Sequence, residues 1–268
     1  MRVSQLTSRG NSLLKTIRLV ASGARGAPGD LAIAEGIRVL EEVNNAGCEI
    51  KAVVFSERFG ASPREQNLLD AWLLRGAQLF KVSDDLFESV SSVQTPQGAL
   101  ALIRVPDRSL AEILPVPNAL ILYALGIQDP GNLGTLFRTA AAAGATLVCT
   151  AQGTVSARNP KVIRSSAGIS FRLPLVEHVA VADFRAYCHI HSIQLYRTDA
   201  RQGMVYTHAD FRSPCAILLG NEGSGIDEKQ FDASPAIRIP MANDVESLNV
   251  AMAGAIILFE ASRQRLSL

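Results

Sequence analysis

From Leu31 onward the chain alternates short apolar runs with amphipathic stretches, and it does so twice. Continuous apolar runs, each followed by a helical pattern, read as strands covered on both faces. They imply a mostly parallel sheet with helices on each side. The first set is LAIAEG, KAVVFS, AQLFKVS and GALALIRV, with helical spacing near 37–46, 64–75 and 84–91. It reads as a βαβαβαβ unit ending near Val105. Residues 106–118, PDRSLAEILPVPN, carry three prolines and read as a linker. The second set places strands at 119–125, 146–150, 173–177, 193–198, 215–220 and 236–239, with helices near 132–143, 159–167, 181–190 and 248–264. The expected organisation is a smaller α/β domain at 1–105, a linker at 106–118 and a larger α/β domain at 119–268. A chain of 268 residues has core enough for both.

Some chemistries are not expected. The apolar stretch VAMAGAIILF is too short to span a bilayer, and the N-terminus lacks a continuous apolar segment of the secretory kind. The four cysteines, at 48, 149, 188 and 215, form no C-x-x-C and no zinc-ligand spacing. Neither a metal nor a membrane partner is therefore expected, and reduced thiols fit a cytoplasmic protein. Net charge is +1, which announces no nucleic-acid binder. The charge is uneven, however: Arg2, Arg9, Lys15, Arg18 and Arg25 all precede the first acid, Asp30. Such a run is usually a solvated end. The sharper reading is a basic arm that meets RNA phosphates, with Arg9 and Lys15 as contacts. SARNPKVIRSS, 156–166, has the same two readings: an exposed basic helix, or a phosphate-touching flank using Arg158, Lys161 and Arg164.

Ligands of open α/β sheets collect beyond the carboxyl ends of the strands. Three polar clusters of the second set lie there. LGIQDPGNLGTLFRTAAAAGA, 125–145, turns at Asp129-Pro130-Gly131, and Asn132 can cap the helix that follows. Arg138 sits two turns into an alanine-rich helix. It is either a snorkelling arginine or a fork awaiting an anion such as a substrate phosphate. AILLGNEGSGI, 216–226, is a strand running into a glycine loop, but Glu222 stands where a phosphate cradle wants backbone N–H groups or a lysine. IPMANDVESLNVAMAGAIILFEASRQR, 239–265, is a strand end, a polar loop and a helix beginning near Ser247-Leu248-Asn249, with Ser247 a natural cap. Ala251, Ala253, Gly254 and Ala255 leave room for close packing on that helix's first turns.

None of these clusters is diagnostic alone, but their order and spacing together resemble the SpoU/TrmH branch of the SPOUT RNA methyltransferases. That family has Asn followed six positions later by Arg, here Asn132 and Arg138. A G-x-E-x-x-G follows, here Gly220, Glu222 and Gly225. The third motif, I-P-M-x-G-x-x-x-S-L-N-V, is met by Ile239, Pro240, Met241, Ser247, Leu248 and Asn249. AEGIRVLEEV and TPQGALALI, at 34–43 and 95–103, are similar to phrases of the substrate-binding domain that many members carry. One departure is Asn243, where the family has glycine; Asn tolerates positive φ better than most residues.

The resemblance implies a trefoil-knotted sheet, against the general rule for chain connections, and a homodimer. It also implies S-adenosylmethionine as cofactor, framed by the main chain near Leu219, Gly220, Gly225, Ile239, Met241 and Leu248. That ligand has a sulfonium, an ammonium and a carboxylate but no phosphate, so an acidic residue in the glycine loop is no obstacle. The implied reaction is methyl transfer to a ribose 2′-hydroxyl of RNA without a metal. Arg138 is the key residue, anchoring a phosphate and stabilising a developing alkoxide rather than acting as a base, because a guanidinium only donates. Asn132, Glu222, Ser247 and Asn249 would orient it, the ribose and the loops. Ribosomal RNA is favoured over transfer RNA because a separate substrate domain comes first. Two other readings stand beside this one: a catalytically silent RNA-binding protein of the same fold, and a dinucleotide-dependent α/β enzyme. The second lacks a G-x-G-x-x-G after the early strands.

Overall fold

The structure, a computed structural model, describes residues 3–24, 26–221, 223, 225–231, 234–243 and 245–266. Arg2, Arg25 and Glu222, all named above, lie outside the described residues. The chain forms two compact units. One runs up to Pro106 and also takes in Arg158–Arg172; the other comprises Asp107–Ala157 and Leu173–Leu268.

The first unit contains β1 (Val3–Gln5), α1 (Ser12–Ser22), β2 (Leu31–Glu35), α2 (Ile37–Asn45), β3 (Glu49–Ser56), α3 (Pro63–Leu74), β4 (Leu79–Val82), α4 (Asp84–Glu88) and β5 (Ala99–Arg104). Its sheet order is β1-β4-β3-β5-β2. The alternation predicts parallel strands, but β5 runs antiparallel to both its neighbours, β3 and β2. The helix before it, α4, has only five residues and rises about 7.5 Å, far shorter than α2 or α3.

Residues 3–22 are not a free arm. β1 pairs with β4, and α1 buries Leu14, Ile17 and Val20 at helical spacing. Asn11 caps α1, its Oδ1 accepting from the Leu13 N–H at 2.9 Å, and Gly23 closes it at φ 61°. The Arg18 guanidinium donates to the carbonyls of Arg9 and Ser89. Arg9 and Lys15 keep exposed side chains. The helical spacing of the apolar residues decides which face of α1 packs, and the basic side chains lie on the other.

The second unit contains β6 (Leu120–Ala124), α5 (Pro130–Ala142) and β7 (Leu147–Thr150). After the excursion at 158–172, whose helix is α6 (Pro160–Ser165), come β8 (Leu175–Val176), α7 (Val181–Ile190), β9 (Gln194–Thr198), β10 (Met204–Val205), β11 (Cys215–Leu219), β12 (Ala236–Arg238) and α8 (Val250–Leu266). Among the described residues the sheet order is β10-β12-β9-β11-β6-β7-β8, and every pairing is parallel. β6 and β11 are fully buried along their length. They sit side by side where the strand order reverses, the usual place for a ligand. α8 buries Ile257 and Leu258, each contributing roughly 1.5–3 kcal/mol of apolar burial. Gly254 is required for its approach: an added Cβ would lie 2.5 Å from Leu136 Cδ2 and 2.7 Å from Leu219 Cδ1.

The excursion at 158–172 belongs to the first unit's core. Ile163 is fully buried among Val39, Leu40 and Trp72. Gly168, at φ 82°, lies so close to α2 that a Cβ would meet Val39 Cα at 3.2 Å and Glu42 Cβ at 2.9 Å. Apolar periodicity shows that a helix buries a face; it does not say against which sheet, so the sequence assigns this segment to the stretch that surrounds it.

Candidate active site

The three polar clusters converge at the carboxyl ends of β6, β9, β11 and β12. A cavity of about 440 Å³ opens there, lined by the glycine loop after β11, the loop between β12 and α8, and the turn after β9. Leu219, Gly220, Gly225, Ile239, Met241 and Leu248, the expected cofactor contacts, all line it, and so does Ser247. The volume falls within the range of small-molecule sites, and the wall mixes apolar side chains with polar groups.

The glycine loop is shaped by its own crossing. At Gly220 a Cβ would stand 2.5 Å from the Gly225 carbonyl carbon and 2.6 Å from Ile226 Cγ1. The missing side chain therefore admits the returning loop. Gly225 has φ 68°. Asn221 was not singled out in the sequence, yet it ties the loop down. Its Nδ2 donates to the Gly126 carbonyl at 2.7 Å and its Oδ1 accepts from the Gly223 N–H at 2.8 Å. An Asn directly after a glycine, with another glycine two positions on, is a turn former, and that was the available signal.

The capping assignments change. Asp129, not Asn132, caps α5: its Oδ1 accepts from the Asn132 N–H at 2.8 Å, with Pro130 in the first helical position, where its missing N–H costs nothing. The Asn132 side chain instead meets Asn249, whose Nδ2 donates to Asn132 Oδ1 at 3.0 Å. Asn249, not Ser247, caps α8, its Oδ1 accepting from the N–H groups of Ala251 and Met252. One hydrogen bond thus joins the first cluster to the third. Asn243 adopts φ 56°, in the positive range that Asn tolerates better than most non-glycine residues.

Arg138 is not brought to this cavity. It is exposed on α5, with no hydrogen bond or ion pair among the described residues. Six positions beyond Asn132, it points roughly 120° away around the helix. Arg158 and Arg164 are engaged inside the first unit, Arg158 Nη2 with the Val105 carbonyl at 3.2 Å and Arg164 Nη1 with Ser92 Oγ at 2.7 Å. Lys161 is exposed.

Sequence reasoning missed the turn after β9. Thr198, Asp199, Ala200 and Arg201 all line the cavity. Asp199 Oδ1 accepts from the N–H groups of Arg201 at 2.7 Å and Gln202 at 2.8 Å; its Oδ2 faces Arg197 Nη1 at 3.3 Å. Burial disfavours its charge, but these donors and the Arg197 guanidinium outweigh that and hold the carboxyl below the usual range. A cavity edged by an ionised carboxylate suits a cationic ligand. Among the described residues no His, Cys, Asp or Glu cluster is placed to hold a metal, and no helix is long and apolar enough to cross a membrane.

The fold and site together define an α/β protein with a nucleoside-sized cavity at the carboxyl ends of β9, β11 and β12 of a parallel sheet. Comparison with known proteins makes this specific. Residues 119–259 match the SpoU rRNA Methylase family, and residues 27–101 match an MRM3-like substrate binding domain. This chain belongs to the SpoU rRNA methylase family. Over 96% of its length it is 28% identical to the 23S rRNA (guanosine(2553)-2'-O)-methyltransferase RlmP of Bacillus subtilis, covering 98% of that protein. A crystal structure described as an RNA 2'-O ribose methyltransferase is 34% identical, with a TM-score of 0.82 over 98% of this chain and 99% of that one. The AdoMet-bound rRNA methyltransferase from Sinorhizobium meliloti is 26% identical, with a TM-score of 0.86 over 97% of this chain and 98% of that one.

Proposed function

We propose that this chain methylates a ribose 2′-hydroxyl of ribosomal RNA and holds S-adenosylmethionine in the cavity at the ends of β9, β11 and β12. The observation that carries this reading is that the second and third sequence clusters line one cavity, while the first is tied to them by the Asn221–Gly126 and Asn249–Asn132 hydrogen bonds. When bound, the cofactor supplies a methyl group on a sulfonium whose leaving group is a neutral thioether. The chain's own contribution is alignment, which is worth up to roughly 7–11 kcal/mol in such reactions. Leu219, Ile239, Met241 and Leu248 form the apolar wall for the adenosine. Ser247 in the cavity wall would orient the ribose, and the Asn132–Asn249 bond ties the start of α5 to the start of α8.

Arg138, exposed and turned away from its own chain's cavity, anchors an RNA phosphate; its role toward the charge developing on a 2′-oxygen would be played at the cavity of a second copy. We read this chain as a homodimer: Met252, Ile256 and Phe259 are exposed one turn apart along α8, an apolar stripe that a second copy would cover. The trefoil knot is carried over from the resemblance of residues 119–259 to the SpoU family. The first unit, with Arg9, Lys15 and Lys161 on its exterior, is assigned to RNA selection, and ribosomal RNA is favoured by the substrate-binding domain match.

The test is methyl transfer from labelled S-adenosylmethionine to separate pools of unmodified ribosomal and transfer RNA, with products digested to nucleosides. Label in a 2′-O-methylnucleoside from ribosomal RNA is the expected result. Label only in transfer RNA would move the substrate class, and no label with cofactor binding intact would leave an RNA-binding protein. In the same assay Arg138→Ala should lower turnover at least about tenfold, about 1.4 kcal/mol in barrier, with cofactor binding unchanged. Unchanged turnover would remove Arg138 from the mechanism.

A further inference from the structure

The mouth of the cavity carries an ion pair with no evident structural duty. Arg201, in the turn after β9, and Glu246, in the loop before α8, both line the cavity and come from opposite lips. Arg201 Nη2 lies 3.9 Å from Glu246 Oε1, and the two side chains are 78% and 84% exposed. At that distance and exposure the pair adds almost nothing to folding. Each charge is therefore available to a ligand at little cost.

The base of one lip is nevertheless rigidly built. Asp199 accepts the backbone N–H groups of Arg201 and Gln202, and its own N–H donates to the Ile237 carbonyl at 2.9 Å. Thr198 Oγ1 donates to the Leu218 carbonyl at 2.8 Å. An exposed arginine is thus set on a fixed turn, opposite a carboxylate, at the rim of a nucleoside-sized cavity. Two opposite charges a few ångströms apart complement a zwitterion of the same dimensions, and an α-amino acid is such a group.

We propose that Arg201 and Glu246 form a subsite for the amino-acid end of the cofactor, Arg201 taking its α-carboxylate and Glu246 its α-ammonium. This rests on the assignment of the cavity to S-adenosylmethionine. The adenosine is held by the apolar and main-chain walls, and the charged rim reads the tail. Binding exchanges one weak surface ion pair for two charge-assisted contacts.

Isothermal titration of the full-length protein without RNA tests this. The probes are S-adenosylhomocysteine and 5′-methylthioadenosine, which share the adenosine thioether but differ in the amino-acid end. The variants are Arg201→Gln and Glu246→Gln, singly and together; both positions are exposed, and circular dichroism checks that the fold is kept. Each single change should weaken S-adenosylhomocysteine about fivefold and leave 5′-methylthioadenosine within about twofold. Equal losses for both probes would mean that the residues only shape the rim, and no loss for either would mean a surface pair. Either result overturns the proposal while leaving the cavity assignment intact. Failure of the unaltered protein to bind either probe would overturn the cavity assignment itself.

Discussion

Gly220 offers a quantitative test of how the glycine loop is closed. An alanine there would place its Cβ 2.5 Å from the Gly225 carbonyl carbon and 2.6 Å from both the Gly225 oxygen and Ile226 Cγ1. Two of these three atoms are backbone, so no rotamer change relieves the clash; the loop must move by most of an ångström. Overpacking of this kind costs about 1–3 kcal/mol. If the cost falls on the closed form of the loop, ligand affinity drops by roughly 5- to 150-fold. Gly223→Ala is the matched comparison, because its Cβ would meet nothing closer than Asn221 Oδ1 at 3.4 Å. Titration with S-adenosylhomocysteine, alongside thermal unfolding, should show a large affinity loss for Gly220→Ala and little change for Gly223→Ala. Unaltered affinity and unaltered unfolding in Gly220→Ala would refute the reasoning, since the loop would then not cross where the geometry places it.

Other expectations follow from single contacts. Asn249→Ala removes both a cap and a side-chain bond, so it should destabilise the fold by about 1 kcal/mol or more in urea unfolding, while Asn132→Ala should cost less. A double-mutant cycle on turnover should show the two asparagines coupled by about 0.5–1.5 kcal/mol, and full additivity would mean that their hydrogen bond is idle. The Asp199 carboxyl is depressed in the folded protein, so its stabilisation is present above its unfolded pKa of about 3.9 and is lost as pH falls through the folded value. The stability gap between the unaltered protein and Asp199→Asn, read from urea midpoints, should accordingly be constant from pH 7 to about pH 5 and shrink below about pH 4. A gap that grows on acidification would contradict the sign. Burial raises the thiols of Cys188, to about 12, and Cys215, to about 11, and also pushes up Cys149. Cys48 is only half-buried. A disulfide reagent should therefore label Cys48 first in the native protein, with the other three reacting only on unfolding.

What could be read in the sequence was whatever leaves a local trace. Strands such as 120–124 and 215–219 announce themselves as apolar runs, and the residues from Leu219 to Leu248 that the family resemblance implied as cofactor contacts line one cavity. What escaped depends on partners far along the chain. β1 is three exposed residues long, and β10 only two, too short for any pattern to register. The reversal of β5 leaves no trace in periodicity, which does not encode strand direction. The capping errors have one origin. Asp129 and Asn132 are both good cap formers, as are Ser247 and Asn249, and local propensity does not choose between them. The choice is made by the Asn132–Asn249 bond across 117 positions, which frees one asparagine from capping and gives the other two tasks at once.

The turn after β9 escaped for a different reason, and that reason bears on function. Thr198, Asp199, Ala200 and Arg201 form no recurring phrase, and each is an ordinary loop residue on its own. They become a wall because β9 lies between β11 and β12, the two strands whose following loops make the rest of the cavity. In a parallel sheet all carboxyl ends point the same way, so the loop of a strand flanked by two site-bearing strands is drawn into the site. Parallel direction and strand order are therefore sufficient to nominate Asp199 and Arg201, although nothing in their immediate sequence does. The same argument explains why the rim there is charged: it forms at the edge of the cavity, where solvent keeps the cost of an arginine and a glutamate low until a ligand of matching charge replaces the water.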